Sequence, residues 1–168
     1  IRFGVLTVSD RSARGERPDA SGPALADLIQ AEGWSVVKQS LLPDEEAAIA
    51  AILISWSDSG ELDVILTTGG TGFSPRDVTP EATRAVIDRE APGLAEAMRA
   101  ASLKITPHAM LSRIVTGIRR QTLIINLPGS PKGAVENLQV VMPVLAHAVQ
   151  LLREDPADVE GPELRPCC

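Results

Sequence analysis

The chain has 168 residues, of which 44% are apolar, and its formal net charge is −6. This length suits one domain with a well-formed core and is too short for two comfortable ones. The acidic charge opposes binding to a polyanion, and few aromatic rings are available on which bases could stack. The aromatic residues are Phe3, Trp34, Trp56 and Phe73. The composition therefore predicts no nucleic acid partner and leaves room for a small anionic ligand.

The side chains that form disulfides or bind transition metals are scarce. Cys167 and Cys168 are adjacent at the end of the sequence, and the histidines are His108 and His147. These spacings predict neither a disulfide framework nor a zinc site. The apolar runs in the sequence look far shorter than a membrane span, and nothing resembles a signal peptide. We expect a soluble cytoplasmic protein without membrane contact.

Strand-like and helix-like segments alternate along the chain, which favours an α/β domain. In chain order the pattern predicts a strand (2–9), a polar loop (10–20), a helix (21–33), a strand (34–42), a helix (43–57) and a buried strand (63–68). It continues with helices (79–89 and 94–104), a short strand pair (113–118 and 122–126) and a last helix after the turn 127–133.

These elements predict a single three-layer domain, in which helices flank a mostly parallel sheet that is accompanied by the short strand pair. We place this domain at residues 1–154. The remaining segment, 155–168, is acidic and contains prolines, so we expect it to be disordered.

The run Thr67-Thr-Gly-Gly-Thr-Gly-Phe-Ser-Pro-Arg-Asp-Val-Thr-Pro-Glu-Ala-Thr83 is the most informative stretch of the sequence. It follows a buried strand and ends at Thr79-Pro80-Glu81, a pattern typical of a helix start with Thr79 as N-cap. Loops rich in glycine expose backbone N–H groups that bind phosphate or carboxylate, and Asp77 could hold a metal beside such an anion. The run therefore predicts chemistry on a phosphorylated ligand.

Two further loops share this arrangement, because each leaves the carboxyl end of a predicted strand and enters a helix. The first carries Ser9 and Asp10 and ends at Ser21-Gly22, and the second is Pro128-Gly129-Ser130. Ligands of open α/β sheets bind at this edge, where helix N-termini attract phosphates. The P-loop pattern, the third glycine of the dinucleotide pattern and the G-x-S-x-G elbow do not occur in the sequence.

Purely structural roles remain open for the same side chains. Asp44, Ser21 and Ser130 each stand where a helix N-cap is expected. Asp77 could stabilise a turn, and Asp10 could bond within its own loop.

Taken together, the motifs are similar to those of the molybdopterin adenylyltransferase family, which includes bacterial Mog proteins and the G domains of plant molybdenum-insertion proteins and gephyrin. The resemblance covers roughly residues 2–153. The matching motifs are Thr7-Val-Ser-Asp10, Pro43-Asp44-Glu45, Thr67–Thr83, Met110-Leu-Ser-Arg113 with Pro107, and Leu123-Ile-Ile-Asn-Leu-Pro-Gly-Ser-Pro131. The loop 11–20 matches no pattern of the family.

This resemblance implies Mg²⁺-dependent transfer of AMP from ATP to the terminal phosphate of molybdopterin. It implies that Asp44 and Asp77 are the essential acids, which bind Mg²⁺ and align ATP. The molybdopterin-binding residues would be Gly69, Gly70, Thr71, Gly72, Ser102, Ser112 and Arg113. The nucleotide-binding residues would be Ser9, Asp10, Ser21, Gly22, Pro128, Gly129 and Ser130.

The resemblance also implies a homotrimer whose product passes to a molybdate-insertion domain or protein. The alternative function is a non-catalytic molybdopterin-binding or oligomerisation module of the gephyrin type. A degenerate module of that type should have lost acids or glycines from its motifs, whereas this sequence retains them.

Overall fold

The computed structural model describes residues 1–153 of the chain, so the expectation of disorder for 155–168 lies outside the described residues. The strands are β1 (Arg2–Val8), β2 (Ser35–Leu42), β3 (Val64–Thr68), β4 (Arg89–Glu90), β5 (Thr116–Arg119) and β6 (Thr122–Leu127). The helices are α1 (Asp10–Ala13), α2 (Ser21–Ala31), α3 (Glu46–Asp58), α4 (Thr79–Val86), α5 (Pro92–Leu103), a 3₁₀ helix (Pro107–Leu111) and α6 (Pro131–Arg153).

All six strands form one sheet in the order β2-β1-β3-β6-β5-β4. The first four strands of this order run parallel, and β5 and β4 pair antiparallel at one edge. The two strands of the predicted strand pair do form a hairpin, but β6 also pairs with β3 and so lies inside the sheet. Because β2 and β3 flank β1 on opposite sides, the strand order reverses beside β1, where such sheets bind ligands.

Helices cover both faces of the sheet, which confirms the predicted three-layer α/β domain. One core packs α2, α5 and α6 on the face that contains Phe3, Val5 and Leu66. The other packs α3 and α4 on the face that contains Leu6 and Ile65. Both faces of the central strands are therefore buried, which explains their continuous apolar runs.

Several predicted elements differ from the observed ones by three residues or more. The helix predicted over 43–57 begins at Glu46, because Glu45 is extended and stands at the N-cap. The predicted polar loop 10–20 begins with helix α1, whose N-cap Ser9 accepts a hydrogen bond from the Ser12 N–H at 3.2 Å. The helix predicted over 79–89 ends at Val86, because Ile87 is extended and the following residues form β4. The strand predicted from 113 begins at Thr116.

Helix α6 is the one helix within residues 1–153 that is long and apolar enough to cross a membrane by length and composition. Its side chains Leu138, Val141, Leu145 and Val149 are buried in the core of the domain. Packing against the sheet thus explains the apolar residues on the inward face of α6.

Candidate active site at the carboxyl edge of the sheet

The four parallel strands end at one edge of the sheet, and the loops that leave them lie together there. These loops are the segment after β1, Pro43–Glu45 after β2, the glycine loop (residues 69–78) after β3, and Pro128–Ser130 after β6. Backbone and side-chain hydrogen bonds join them: the Gly69 N–H donates to Leu127 O at 3.3 Å, and Thr68 Oγ1 donates to Pro128 O at 2.7 Å. The candidate site is therefore built from several separate parts of the sequence.

The glycine loop turns sharply at two glycines with positive φ, Gly69 at 103° and Gly70 at 62°. A Cβ on Gly69 would lie 2.1 Å from Val8 O, so the backbone of the loop approaches β1 too closely for any side chain. Thr79 holds the loop from the other side, because its N–H donates to Gly70 O at 3.1 Å and its Oγ1 donates to Gly69 O at 2.9 Å. The prediction that Thr79 is an N-cap is wrong, since α4 begins after Val78 and Thr79 bonds the loop instead.

The Asp44 carboxylate is buried against the glycine loop and does not cap α3. Its Oδ2 accepts the N–H of Asp10 at 2.8 Å, and its own N–H donates to Asp10 Oδ1 at 3.0 Å. The side chain is 8% exposed, and a Cβ on Gly70 would lie 2.8 Å from Asp44 Oδ1. Burial raises the pKa of Asp44, and the nearby negative charges of Asp10 and Asp77 raise it further. The hydrogen bond from the Asp10 N–H lowers the pKa, but the net shift is upward. A cation at this position would relieve that repulsion.

Asp10 is fixed by an arginine of the glycine loop. Arg76 donates from Nε and Nη2 to the two carboxylate oxygens of Asp10, both at 2.9 Å. This hydrogen-bonded pair, together with the Asp44 N–H, lowers the pKa of Asp10 to about 2. The pair links the loop after β1 to the glycine loop beside Asp44.

Asp77 follows Arg76 near the end of the glycine loop. Its Oδ2 accepts the Ser74 N–H at 2.9 Å, and a Cβ on Gly72 would lie 2.9 Å from the same oxygen. The absence of a side chain at Gly72 thus leaves space for the carboxylate. Asp44 and Asp77 line the same cavity, and the negative charge of Asp77 contributes to the raised pKa of Asp44.

Two of the cavities beside these acids share residues of the glycine loop. The larger cavity, of about 610 Å³, lies between the glycine loop, α5, the 3₁₀ helix and the start of α6. The smaller cavity, of about 380 Å³, lies between the ends of β1 and β3, where the strand order reverses. Four residues line both cavities: Gly70, Asp77, Gly129 and Ser130. The site can therefore hold two ligands that meet at Asp77.

The sequence of the chain matches a known protein family. Residues 4–147 match the model of a family described as a probable molybdopterin binding domain. The chain belongs to this molybdopterin-binding domain family.

Relatives within the family fall into long and short proteins. The chain is 45% identical to a protein named gephyrin from Dictyostelium discoideum and 47% identical to the molybdenum cofactor synthesis protein cinnamon from Drosophila melanogaster. The alignments include 91% and 92% of this chain but 23% and 26% of those relatives, so the chain spans about a quarter of their length. It is 42% identical to the molybdopterin adenylyltransferase of Helicobacter pylori (strain J99), over 90% of this chain and 88% of that protein.

The solved structure of the molybdopterin biosynthesis enzyme MoaB from Thermus thermophilus has the same fold. Its TM-score to this chain is 0.86 at 53% identity, covering 92% of this chain and 98% of that one. The molybdopterin-binding family thus includes both short proteins of about this size and much longer ones.

The predicted molybdopterin-binding residues mostly surround the larger cavity of this family member. Gly70, Thr71, Gly72, Ser102 and Ser112 line it, whereas Gly69 lines the smaller cavity. Ser112 Oγ is buried, and no hydrogen-bond partner for it exists within residues 1–153. An unpaired buried hydroxyl is costly, so its presence in the wall of a cavity points to a polar ligand.

Arg113 is the one predicted residue of this group that lines neither of these two cavities. It lines a separate cavity of about 410 Å³ together with Asp77 and Glu81. Its Nε donates to Gly72 O at 2.7 Å, and its Nη2 donates to Asp77 O at 2.5 Å. The structure thus places the guanidinium on the backbone of the glycine loop, outside the lining of the larger cavity.

The predicted nucleotide-binding residues divide between the two cavities. Ser9, Ser21, Gly129 and Ser130 line the smaller cavity, and Pro128 lines the larger one. Asp10 and Gly22 line neither of the two, although both lie in the loops that shape the smaller cavity. Ser130 also caps α6 by accepting the Gly133 N–H at 3.1 Å, so the structural role expected for it is present as well.

Asp19 is a polar residue of the site that the sequence pattern did not indicate. Its carboxylate accepts hydrogen bonds from the N–H of Ser21 and of Gly22, both at 3.0 Å, and from Thr7 Oγ1 at 2.7 Å. A Cβ on Gly22 would lie 2.5 Å from Asp19 Oδ2. The N–H groups at the start of α2 are therefore satisfied by a carboxylate of the protein, and they are not free to bind a phosphate.

Several other cavity residues were also missed by sequence reasoning. Arg17 lines the smaller cavity, and Arg99, His108, Lys132 and Asn137 line the larger one. Asn137 is 4% exposed, and its Nδ2 donates to Ser102 Oγ at 3.2 Å, which fixes that predicted hydroxyl. Nothing in the helical period of α6 assigns a polar residue such as Asn137 to a cavity, so its position is known only from the structure.

The donor set at Asp44 and Asp77 suits Mg²⁺. Carboxylate oxygens are the ligands that Mg²⁺ prefers, and it is usually bound by one or two of them together with substrate phosphates and water. Within residues 1–153 no group of three or more His, Cys, Asp or Glu side chains could enclose a metal. A metal at this site would therefore depend on a phosphorylated ligand for its remaining contacts.

Proposed function

We propose that this domain transfers AMP from ATP to the terminal phosphate of molybdopterin and releases pyrophosphate. The observation that carries the proposal is the meeting of two cavities at Gly70 and Asp77, next to the buried carboxylate of Asp44. In this proposal each cavity holds one substrate, and the acids lie where the phosphates would meet. The similarity to the Helicobacter pylori enzyme over 90% of this chain supports the same activity.

The reaction needs no nucleophilic side chain from the protein. An oxygen of the molybdopterin phosphate attacks the α-phosphorus of ATP, a new P–O–P bond forms, and the bond to the β-phosphate oxygen breaks. Catalysis of such a transfer depends mainly on alignment of the reacting groups and on neutralisation of charge. The pre-formed loops around Gly70 and Asp77 supply alignment in this proposal.

Molybdopterin would bind in the larger cavity. Its phosphate would lie on the glycine loop, and Ser112 Oγ and the Ser102–Asn137 pair would bond polar groups of the ligand. Lys132 and Arg99 add positive charge to this cavity. The adenylate part of ATP would bind in the smaller cavity against Ser9, Ser21 and the Gly129–Ser130 turn.

Asp44 and Asp77 would hold Mg²⁺ between the two substrates. When bound, the ion would offset the charge of the triphosphate and orient it. Without a cation the two carboxylates would repel ATP, and burial already makes the charge on Asp44 unfavourable. Asp10 and Arg76 would act through Asp44, whose carboxylate the Asp10 N–H holds in place.

The direct test mixes the protein with molybdopterin, ATP and Mg²⁺ and measures adenylylated pterin and pyrophosphate. We expect Asp44→Asn and Asp77→Asn each to lower turnover by at least about 100-fold, since losing one electrostatic contact of this kind has effects of that size. Both variants should retain the far-UV circular dichroism of the wild type. Asp58→Asn is a matched control, because that carboxylate pairs with Arg119 and Arg120 and lines neither site cavity.

Wild-type turnover by either site variant at saturating Mg²⁺ would contradict the role given to that residue. Tight binding of molybdopterin without release of pyrophosphate would instead support the binding or scaffold module. Absence of binding to either ligand would leave only a phosphate-binding α/β domain.

We propose that the domain works as a cytoplasmic homotrimer and passes its product to a molybdate-insertion domain. An exposed apolar stripe on α6 supports assembly: Val140, Val144 and Leu151 are 37%, 49% and 54% exposed. The much greater length of the gephyrin and cinnamon relatives is consistent with a further domain downstream. Light scattering after gel filtration checks assembly, and a monomer at all concentrations would contradict it.

A further inference from the structure

Arg113 fastens both ends of the segment that carries Asp77. It follows Ser112 and precedes β5, and its side chain is 31% exposed. Its guanidinium donates to Gly72 O at 2.7 Å and to Asp77 O at 2.5 Å, and its backbone N–H donates to Thr71 O at 3.0 Å. One residue thus holds three positions of the glycine loop.

Glu81 completes this arrangement from the first turn of α4. Its Oε1 accepts a hydrogen bond from Arg113 Nη1. Burial alone would raise the pKa of Glu81, but the hydrogen bond from Arg113, a backbone hydrogen bond and the positive charges of Arg113 and Arg84 together outweigh it, and the pKa is lowered. Glu81 is therefore ionised at neutral pH, and it anchors the guanidinium to α4 without lining either site cavity.

The contacts of Arg113 require the forked shape of a guanidinium. A lysine ammonium carries the same charge but cannot reach the two carbonyls and the carboxylate with separate fixed donors. Within the segment itself, Asp77 is held further because its Oδ2 accepts the Ser74 N–H. The direction of the Asp77 carboxylate thus depends on Arg113 through the backbone that precedes Asp77 and through the carbonyl of Asp77 itself.

We propose that Arg113 and Glu81 are a positioning pair that sets the Asp77 carboxylate for the metal and ATP, and that Arg113 does not itself bind molybdopterin. The role given to the carboxylate rests on the proposed function, whereas the fastening of the loop does not. Arg113 also follows Ser112 directly, so the pair connects the wall of the molybdopterin cavity to the metal ligand.

The test compares Arg113→Lys and Glu81→Gln with the wild type. Loss of outer contacts to a metal ligand lowers metal affinity by about 10- to 100-fold, so we expect the Mg²⁺ concentration for half-maximal turnover to rise by at least about tenfold. The dissociation constant of molybdopterin, measured by pterin fluorescence without ATP, should stay within about twofold. Hydrogen–deuterium exchange should become faster for the amides of residues 72–78 in both variants.

Arg119→Lys is a matched control for the loss of a guanidinium. The Arg119 guanidinium bonds one carboxylate and one carbonyl: Nε and Nη2 donate to Asp58 at 3.0 and 2.9 Å, and Nη1 donates to Val86 O at 2.9 Å. It lies beside the start of β6, at the opposite end of the strands from the site. We expect this variant to leave the Mg²⁺ dependence and the exchange of residues 72–78 unchanged.

Weaker molybdopterin binding in Arg113→Lys with an unchanged Mg²⁺ dependence would overturn the proposal and make Arg113 a ligand. Unchanged exchange of residues 72–78 in both Arg113→Lys and Glu81→Gln would also overturn it. If the wild type forms no adenylylated product, the proposed function fails, but the exchange experiment still decides whether Arg113 and Glu81 fasten the loop. If Arg113→Lys does not fold, Glu81→Gln still tests the proposal, because it weakens the same pair from the other partner.

Discussion

At the scale of single residues, hydrogen-bond partners separate functional side chains from structural ones of the same type. Asp19 has four donors around its carboxylate and serves the start of α2. Asp44 is buried with a raised pKa beside other acids, an arrangement that weakens stability and is typical of functional sites. Ser112 keeps a buried hydroxyl free of partners in the described chain, which again favours a ligand-binding role.

Ser112→Ala should weaken molybdopterin binding by about 5- to 10-fold, because a hydrogen bond contributes about 1 kcal/mol. The affinity for ATP should change much less, since Ser112 does not line the smaller cavity. Titration of each ligand separately, by pterin fluorescence and by calorimetry, measures the two effects.

The matched control is Ser57→Ala. Ser57 Oγ is also buried without a partner in residues 1–153, but it lies at the opposite end of the strands. Neither substitution removes a hydrogen bond of the free protein, so neither should lower the melting temperature appreciably. Equal weakening of ATP and molybdopterin binding by Ser112→Ala would contradict its placement.

At the scale of elements, the glycine loop is a rigid connection held from three sides. Thr79 bonds it from α4, Arg113 bonds it from the segment before β5, and Gly69 touches the end of β1. Two of its glycines are needed for different reasons: Gly70 has a positive φ, and Gly72 makes room for Asp77. The loop therefore positions ligands with little reorganisation on binding.

Gly70→Ala should lower turnover by at least about tenfold. A Cβ there would lie 2.4 Å from Thr79 Oγ1 and 2.8 Å from Asp44 Oδ1, so the Asp44 carboxylate must shift. A displacement of about 1 Å in a catalytic group can reduce rates by about 100-fold. Steady-state kinetics with both substrates saturating would measure the change.

Gly60→Ala separates this effect from backbone strain alone. Gly60 has φ of 70°, close to the 62° of Gly70, but no atom of the described chain lies within 4 Å of a Cβ built on it. Both variants should lose about 1–2 kcal/mol of stability from the left-handed backbone conformation. Equal turnover in the two variants would show that crowding at Gly70 does not matter.

At the scale of the whole molecule, one end of the sheet carries the candidate site and the other end contributes to stability. The carboxyl edge carries the site, whereas the opposite end is closed by ion pairs. There Asp63 is 3% exposed and bonds Arg2 at 2.8 Å and Arg153 at 2.6 Å. These contacts join β1 and the end of α6 to the start of β3, so they stabilise the domain away from the chemistry.

Asp63→Asn should reduce the free energy of unfolding by about 2 kcal/mol at pH 7. Burial would raise the pKa of Asp63, but hydrogen bonds from Arg2 and Arg153 outweigh it and lower the pKa to about 2. Because the folded value lies below the unfolded value of about 4, this stabilisation is full above about pH 5 and is lost as the pH falls to about 2. Urea unfolding at several pH values between 7 and 2 measures it.

The difference between wild type and Asp63→Asn should therefore shrink steadily as the pH is lowered. A difference that is the same at pH 7 and pH 2.5 would show that Asp63 stabilises the fold in some other way. Turnover at pH 7 should be little affected, because Asp63 lies at the end of the sheet away from the site.

Much of the fold follows from local patterns in the sequence. The strands Arg2–Val8, Val64–Thr68 and Thr122–Leu127 were predicted within two residues at each end, because buried parallel strands give continuous apolar runs. The short elements were missed: α1, β4 and the 3₁₀ helix are each five residues long or shorter. Elements this short lack a hydrophobic period, and neighbouring chain segments determine them.

The candidate site was predictable to a similar extent. Asp44, Asp77, the glycines and Ser112 were indicated by motifs, and the structure gathers them at the cavities as expected. Their individual roles remain predictions. Asp19 was not indicated, and the contacts of Arg113 with the glycine loop were not predicted. Both act through hydrogen bonds, and for Arg113 the partners are over 30 residues away in the sequence.

The sequence by itself determined the α/β fold, the glycine loop and the acids available for chemistry, because these depend on residue type and on short spacings. Only the tertiary structure decided that Asp44 faces Gly70, that two cavities meet at Asp77, and that Arg113 fastens the loop. The physical reason is that parallel strands bring their carboxyl ends to one edge, so residues far apart in the chain become partners there. Burial and hydrogen bonding then decide which of them remain free for a ligand.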